Sequence, residues 1–335
     1  MKKVIFSSLS IIAFILIVLA CSKDRSILLP KEVPPPVEEV KPVEKTIKDF
    51  TFDGKDAQAF LNKLTKKSET KTIKSLSDLP FLGKNGTEIW IYPNDLILPD
   101  GSRSTFPFDL EVLELLTPRD MILNQKPTVS QGRLLTTGGE LFIKAKKDGK
   151  DLYLSFVNNT VIEIPAKNPV QGMILFYGEN TSSNFIEWYP ERERPRTQGM
   201  PMSGVMVNDN VGPRQQQKRY VIFPTQIGWI NCDKFSEFQG AKTKIKFTSV
   251  YPALKEIQTF LFFPDLKSVM QVNGDTSGEI PVGQLVKIIS VAVTKEEQVY
   301  SFIKDINIIE NQTINIELKP TTQQELDDYL KTLSF

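Results

Sequence analysis

The sequence has no histidine among its 335 residues. That absence removes Ser-His and Cys-His nucleophilic pairs and every zinc site that needs an imidazole. Only two cysteines are present, Cys21 and Cys232, too few for a disulfide framework, so stability must come from packing. A surplus of one charge is lacking as well. The 41 basic side chains face 40 acidic ones, and no global field draws the chain to nucleic acid or to an anionic surface. There is no Gly-rich phosphate loop, because Gly240-Ala241-Lys242-Thr243 lacks the glycine directly before lysine that such a loop needs. The chemistry left open is a carboxylate pair, a Ser-Lys pair or an all-oxygen calcium site. No cofactor is expected.

The long apolar run stands at the start. Lys2 and Lys3 precede Val4–Ala20, which is apolar except for Ser7, Ser8 and Ser10. This is the layout of a secretory signal, and it is short for a permanent span, which takes about 20 apolar residues. Val18-Leu19-Ala20-Cys21 resembles the lipobox of bacterial lipoproteins. The resemblance implies that Cys21 becomes the acylated first residue of a mature chain held to the membrane by lipid. The alternatives are an uncleaved N-terminal membrane helix and an ordinary signal with an incidental cysteine. Ser22 follows where an inner-membrane lipoprotein of enteric bacteria has Asp, which points to the outer membrane, with the periplasmic or surface face left open. Removing residues 1–20 takes away Lys2 and Lys3. The 41 basic side chains less two leave 39 against 40 acidic, and an exported chain has no nucleic-acid partner.

Composition then divides the chain. Residues 21–46 place proline every few positions between Glu and Lys, "LLPKEVPPPVEEVKPVEK", and predict an extended tether. Ala57, Phe60, Leu61 and Leu64 predict a short helix near 55–66. Strand alternation follows: Ile89 and Ile91, then Phe106, Phe108, Leu110 and Val112, with a shift of face at Leu113 and Leu115 that predicts a bulge or a change of sheet. Leu141, Ile143 and Ala145, an Asp148-Gly149 turn, then Leu152, Leu154 and Phe156 predict a hairpin. Residues 190–218 are rich in Pro, Gly, Asn and charge and read as a long loop. Short strands resume to the end, closed by a helix over "QQELDDYLKTL" capped by Thr321 or Thr322. The expected fold is mostly β: tandem antiparallel β-sandwich domains with one short N-terminal and one C-terminal helix. The expected divisions are 1–20 signal, 21–46 tether, 47–168 first sandwich, 169–235 β extension and 236–335 second sandwich.

Gly86-Thr87, Ile89, Ile91, Pro93 and Asp100-Gly101, followed by "LLTTGGELFIKAKKDGKDLYL", resemble the ZU-type β-sandwich of ankyrins and netrin receptors, and more closely the related modules of bacterial cell-surface lipoproteins. "GWINCDKF", Gly228–Phe235, looks like a segment recurring in such lipoproteins. The likeness covers about 70–165. It implies a sandwich used for assembly or adhesion, with an envelope protein or glycan as partner and no catalytic residue to carry over.

Three stretches remain as candidates for chemistry. In "FIEWYPERERPR", Glu187, Glu191 and Glu193 lie beside Trp188 and Tyr189. Aromatic platforms with paired carboxylates serve glycan binding or hydrolysis, and the bland alternative puts Trp188 in the core and Glu187 in water. Asp209, and Asp275 with Glu279, stand among Asn, Ser and Thr oxygens as calcium ligands or as ordinary turns. Arg192, Arg194, Arg196, Arg214, Lys218 and Arg219 bracket the long loop as a docking surface or a solvated linker. Cys232 beside Trp229 and Ile230 is expected to be a small buried hydrophobe.

Overall fold

Alternating apolar residues between 69 and 235 build two sheets that bury one face each against the other. The computed structural model describes residues 46–180, 186–191, 204–209, 217–238 and 240–335. The expected signal, Cys21 and nearly all of the tether lie outside them. Lys45–Phe335 forms one compact body. Among the described residues no helix is long and apolar enough to cross a membrane.

In chain order the first strands are β1 (Glu69–Ile73), β2 (Phe81–Leu82), β3 (Glu88–Trp90), β4 (Leu96–Ile97), β5 (Phe108–Leu115), β6 (Val129–Ser130), β7 (Arg133–Lys147) and β8 (Lys150–Leu154). Then come β9 (Val161–Pro165), β10 (Ile174–Asn180), β11 (Ile186–Pro190), β12 (Gly204–Asn208), β13 (Arg219–Phe223) and β14 (Gly228–Phe235). The larger sheet runs β1-β5-β7-β14-β10-β11, with β4, β6 and β8 attached, and the smaller runs β12-β13-β9-β3-β2. Their shared core holds Leu110, Ile143, Leu175 and Ile230 from one sheet and Ile89, Ile162 and Ile222 from the other. The strands between 169 and 235 therefore complete both sheets of this sandwich. The expected loop at 190–218 contains β12, and 192–203 and 210–216 fall outside the described residues.

The hairpin forms as its sequence predicts. Lys147 pairs with Lys150 and Ala145 with Leu152, and Asp148 and Gly149 both take positive φ, +48° and +77°, the geometry of a two-residue primed turn. The bulge expected at Leu113 is absent: β5 and β7 stay in register from Asp109–Lys146 to Leu115–Glu140. Leu115 is buried although it lies on the outer face, because this sheet is covered on both sides. The shift of register falls between β7 and β14 instead, where Thr137 to Glu140 opposes Asp233 to Asn231, three steps against two. Gly138 and Gly139 supply the extra residue. Gly139 has φ +129°, and a Cβ on Gly138 would meet the Tyr220 ring at 2.6 Å.

The second half continues with β15 (Lys242–Thr243), β16 (Lys246–Thr248), β17 (Gln258–Phe263), β18 (Ser268–Val272), β19 (Ile280–Pro281), β20 (Leu285–Val293), β21 (Val299–Asn307), β22 (Thr313–Asn315) and β23 (Lys319–Thr321). Its five-stranded sheet runs β18-β17-β20-β21-β23. One face, with Leu261, Phe263, Val286 and Ile288, packs on Ile245, Phe247 and Ile314 from the short pairs beneath. The other face, with Phe260, Phe262, Ile289 and Val291, packs on helices α1 (Gly54–Lys63), α2 (Pro118–Asn124) and α3 (Gln323–Thr332). Burial on both faces explains why "QTFLFF" does not alternate. The second unit is thus a sandwich with helices on its outer side, and α1 belongs to it although it comes first in the chain. The sequence reading missed α2, whose seven residues are too few for a helical period to show.

Caps set the helix ends. Asp53 accepts from the Lys55 N–H at 2.8 Å, Thr117 from the Asp120 N–H at 3.1 Å and Thr322 from the Glu325 N–H at 3.1 Å. Arg119 of α2 donates Nε–H to Asp327 of α3 at 2.8 Å, and Lys331 pairs with the same carboxylate at 2.8 Å. Burial alone would raise the Asp327 carboxyl, but the bonds from Lys331 and Arg119 outweigh it and hold the group below its usual value. A depressed folded-state pKa gives stability that is present above the unfolded value and lost as the pH falls through the folded one. Asp327→Asn is therefore expected to cost about 1–2 kcal/mol at neutral pH. Thermal unfolding curves of parent and variant should converge as the pH drops below the ordinary aspartate value of 3.8.

Candidate functional site

The residues singled out by sequence do not converge. Trp188 is wholly buried. It packs with Leu135, Phe176 and Ile186, its indole N–H donates to the Pro127 carbonyl at 3.0 Å, and its own carbonyl accepts from the Ser130 hydroxyl at 2.7 Å. No face of the ring is open to a sugar. Tyr189 points to the opposite side of β11 and is 38% exposed. Glu187 accepts from the Gln131 N–H at 2.6 Å, and Glu191 from the Thr225 hydroxyl at 2.8 Å. Those two acids are four steps apart along extended chain, roughly 13 Å between Cα atoms, against the ~5–10 Å between carboxyls in a glycosidase. Glu193 lies outside the described residues.

The other stretches resolve into local contacts. Asp209 pairs with Lys218 at 3.2 Å. Asp275 accepts from the Thr276 hydroxyl at 2.9 Å, and among the described residues no group of three or more His, Cys, Asp or Glu is placed to hold a metal. Arg219, largely buried, binds Glu88 at 2.8 Å and Glu163 at 3.6 Å, so it is not free to dock a partner. Arg192, Arg194, Arg196 and Arg214 lie outside the described residues. Cys232 is fully buried in the first core. Burial pushes its thiol well above the ordinary value and Asp233 adds to that, so it is a poor nucleophile.

A polar cluster that sequence reading passed over lies on the outer face of the larger sheet. Directly paired residues share a face, so one row across this sheet reads Leu115, Glu140, Asn231, Phe176. The neighbouring row reads Leu113, Phe142, Trp229, Gly178, Trp188. Glu140 and Asn231 thus sit in the middle of an apolar face. Asp233 follows two residues after Asn231 on the same side, beyond the bulge. All three are 0% exposed. The Asn231 side-chain amide donates to Asp233 Oδ2 at 2.7 Å. Both Glu140 carboxylate oxygens, Asn231 Oδ1 and Asp233 Oδ1 have no hydrogen-bond partner among the described residues. Burial pushes the Glu140 carboxyl well above its ordinary value, Asp233 pushes the same way and Lys126 partly opposes. Burial likewise raises Asp233 to about 8, against the pull of hydrogen bonds from Thr137, Asn231 and the Gly138 backbone. Lys126, itself lowered by burial, stands over the Trp229 ring at 5.2 Å from its centroid.

This cluster lies next to the seam between the two units. The Thr137 N–H donates to the Lys267 carbonyl at 3.1 Å and the Thr128 N–H to the Val269 carbonyl at 2.8 Å, while the Val269 N–H donates to the Thr128 hydroxyl at 2.7 Å. Thr137 and Gly138 also form part of the wall of a cleft of about 210 Å³, shared with Tyr220, Lys267 and Phe335. A larger cleft of about 500 Å³ lies between α1 and the start of α3. It carries the exposed Lys63–Glu297 ion pair at 2.8 Å.

No protein-family model matches the chain, and no curated relative is found. Among solved structures there is similarity to the gamma-CGTase of alkalophilic Bacillus clarkii. Its identity is 9% and its TM-score 0.18, covering 74% of this chain and 41% of that one. A likeness this distant carries no argument about this protein.

Proposed function

We propose that the protein is a non-catalytic bacterial envelope lipoprotein, acylated at Cys21 and sorted to the outer membrane, whose sandwich units bind an envelope protein or glycan. The observation that carries the reading is the order of parts: a signal-like run, the lipobox-like Val18–Cys21, a proline-rich spacer, and then a compact body that starts at Lys45. One acyl chain holds a protein only marginally, each buried methylene contributing about 0.8 kcal/mol, so stable anchoring rests on more than one chain. The ZU-type likeness, carried by about 70–165 within the first sandwich, belongs to the same proposal and makes assembly or adhesion its role. Hydrolysis at Glu187 finds little support in carboxylates that engage separate partners, and glycan contact would have to run through Tyr189 rather than the buried Trp188.

Metabolic labelling with an acyl probe tests this. The parent is expected to take up label and fractionate with membranes, and Cys21→Ala to lose the label and appear in the soluble fraction. An unlabelled, full-length product in the cytoplasm would end the proposal.

A further inference from the structure

We infer that Glu140 and Asp233 form an acid-tightened latch at the seam between the two units, closed while both carboxyls hold their protons and loosened as they ionise. Both side chains are 0% exposed. Strand pairing sets Glu140 in an apolar face, between Leu115 and Asn231, with Phe176 beyond Asn231 in the same row. Neither Glu140 oxygen has a hydrogen-bond partner among the described residues, and Asp233 has one oxygen without a partner. A carboxylate in such a place loses its hydration and gains nothing in exchange, whereas a neutral carboxyl is tolerated.

Each acid is tied to a backbone contact of the seam. Asp233 is directly opposite Thr137, whose N–H donates to the Lys267 carbonyl of β18 at 3.1 Å. Residues 126–128 lie over the face that holds Glu140: Lys126 stands over the Trp229 ring at 5.2 Å, and the Pro127 carbonyl accepts from the Trp188 indole. Thr128 then exchanges bonds with Val269 of β18 at 2.8 and 2.7 Å. Water reaches an ionised acid here when this cover parts, so ionisation and loosening of the seam go together.

The charges around the pair are few. Lys126 acts on Glu140 but leaves both of its oxygens without a hydrogen bond. Lys267 of β18 turns its amine to the Asn168 carbonyl at 3.2 Å, and Lys167 lines the same cleft as Thr137. Behind the sheet, burial pushes Tyr220 up to about 12 and Cys232 well above its ordinary value, so neither carries charge near neutrality. The chain has no histidine, and no ordinary side chain titrates between about pH 5 and 8. Glu163, also raised, is bound by Arg219 in the smaller sheet. Burial lifts Asp233 to about 8 and Glu140 well above 4.5. A raised folded-state value gives stability that is fully present below the unfolded value and lost as the pH rises to the folded one. The latch therefore weakens from about pH 5 toward 8.

Amide hydrogen exchange on the whole protein tests this, with protection corrected for the intrinsic rate at each pH. Across that window the seam amides of Thr128, Thr137 and Val269 are expected to lose about tenfold in protection per pH unit for each proton released on opening. Asp233→Asn and Glu140→Gln mimic the protonated acids. Each should lower that slope, and the two together should flatten it. If a variant does not fold, the parent decides, because its melting temperature is expected to fall by several degrees across the same window. The latch is overturned by flat protection and a flat melting temperature in the parent, or by a parental slope in both variants. It is overturned equally by seam amides as strongly protected as those of Ile143 and Ile288 in the two cores, since only complete unfolding would then reach the acids.

Discussion

Trp188→Ala is expected to lower the stability of the protein by about 3–5 kcal/mol, the largest loss among the substitutions considered. The indole is wholly enclosed, meets Trp229 edge-on at 6.4 Å between centroids and satisfies the Pro127 carbonyl. Gly178 makes room for the two rings, since a Cβ there would lie 2.8 Å from Trp229 and 3.0 Å from Trp188. Truncation leaves a cavity and an orphaned carbonyl together, and the surrounding sheet is too constrained to collapse into the gap. Tyr189→Ala, one residue on and half open to solvent, should cost about 1 kcal/mol or less. Urea unfolding of the two variants separates the readings. A Trp188→Ala protein with parental stability and lost glycan binding would restore the aromatic platform that the sequence offered.

Arg219→Met is expected to cost about 2–4 kcal/mol at neutral pH. The guanidinium is 11% exposed and stands between Glu88 and Glu163, which are direct cross-strand partners on β3 and β9. It also donates to the Gly86 carbonyl at 3.1 Å. Methionine keeps the packing of the stem but leaves two carboxylates facing each other, a destabilising pair. Burial already raises the Glu163 carboxyl above its ordinary 4.5, Arg219 pulls it back and Glu88 pushes it up. A raised folded-state value gives stability that is fully present below the unfolded pKa and is lost as the pH rises through the folded one. Without the arginine that value climbs further. The deficit of the variant should therefore be small in mildly acidic buffer and grow toward neutrality. Equal shifts in melting temperature at both ends would show that the repulsion is not its cause. Arg219→Lys should recover only part of the loss, for want of the planar fork.

Local signals in this chain were legible where a turn or a cap carried them. Asp148-Gly149 with its flanking alternation specified a hairpin, and Thr321 or Thr322 ahead of "QQELDDYLKTL" marked the start of α3, where Thr322 is the cap. The apolar run Phe260–Phe263 announced a strand but not what would cover its second face, because that cover comes from α1 and α2, far away in sequence. Leu113 and Leu115 read as a change of face for the same reason: an outer face buried by non-local packing is indistinguishable, along one strand, from a slip of register. The burial of Glu140 was invisible. In "GGELFIK" the residue occupies the position of a polar residue facing water, and only its row across the sheet, with Leu115 beside it and Phe176 beyond Asn231, reveals that the face is dry. Those neighbours are set by strand pairing that no short window contains. The pair Gly138-Gly139 was the one available hint, since two glycines inside a strand mark a bulge or a close approach.

The early placement of α1 has a consequence for biogenesis. Phe52 bridges Thr294, the Thr51 carbonyl accepts from the Lys295 N–H at 3.1 Å, and Gly54 lies against the backbone of Lys255, whose carbonyl oxygen would stand 2.5 Å from any added Cβ. A ribosome delivers Phe50–Leu61 first and their docking surface more than two hundred residues later. Until then those apolar side chains have at most α2 as native cover, while the intervening sandwich already has all of its strands. Closure of such a wide loop is slow, and in the interval the exposed segment is where a chaperone would hold the nascent chain and where aggregation would begin.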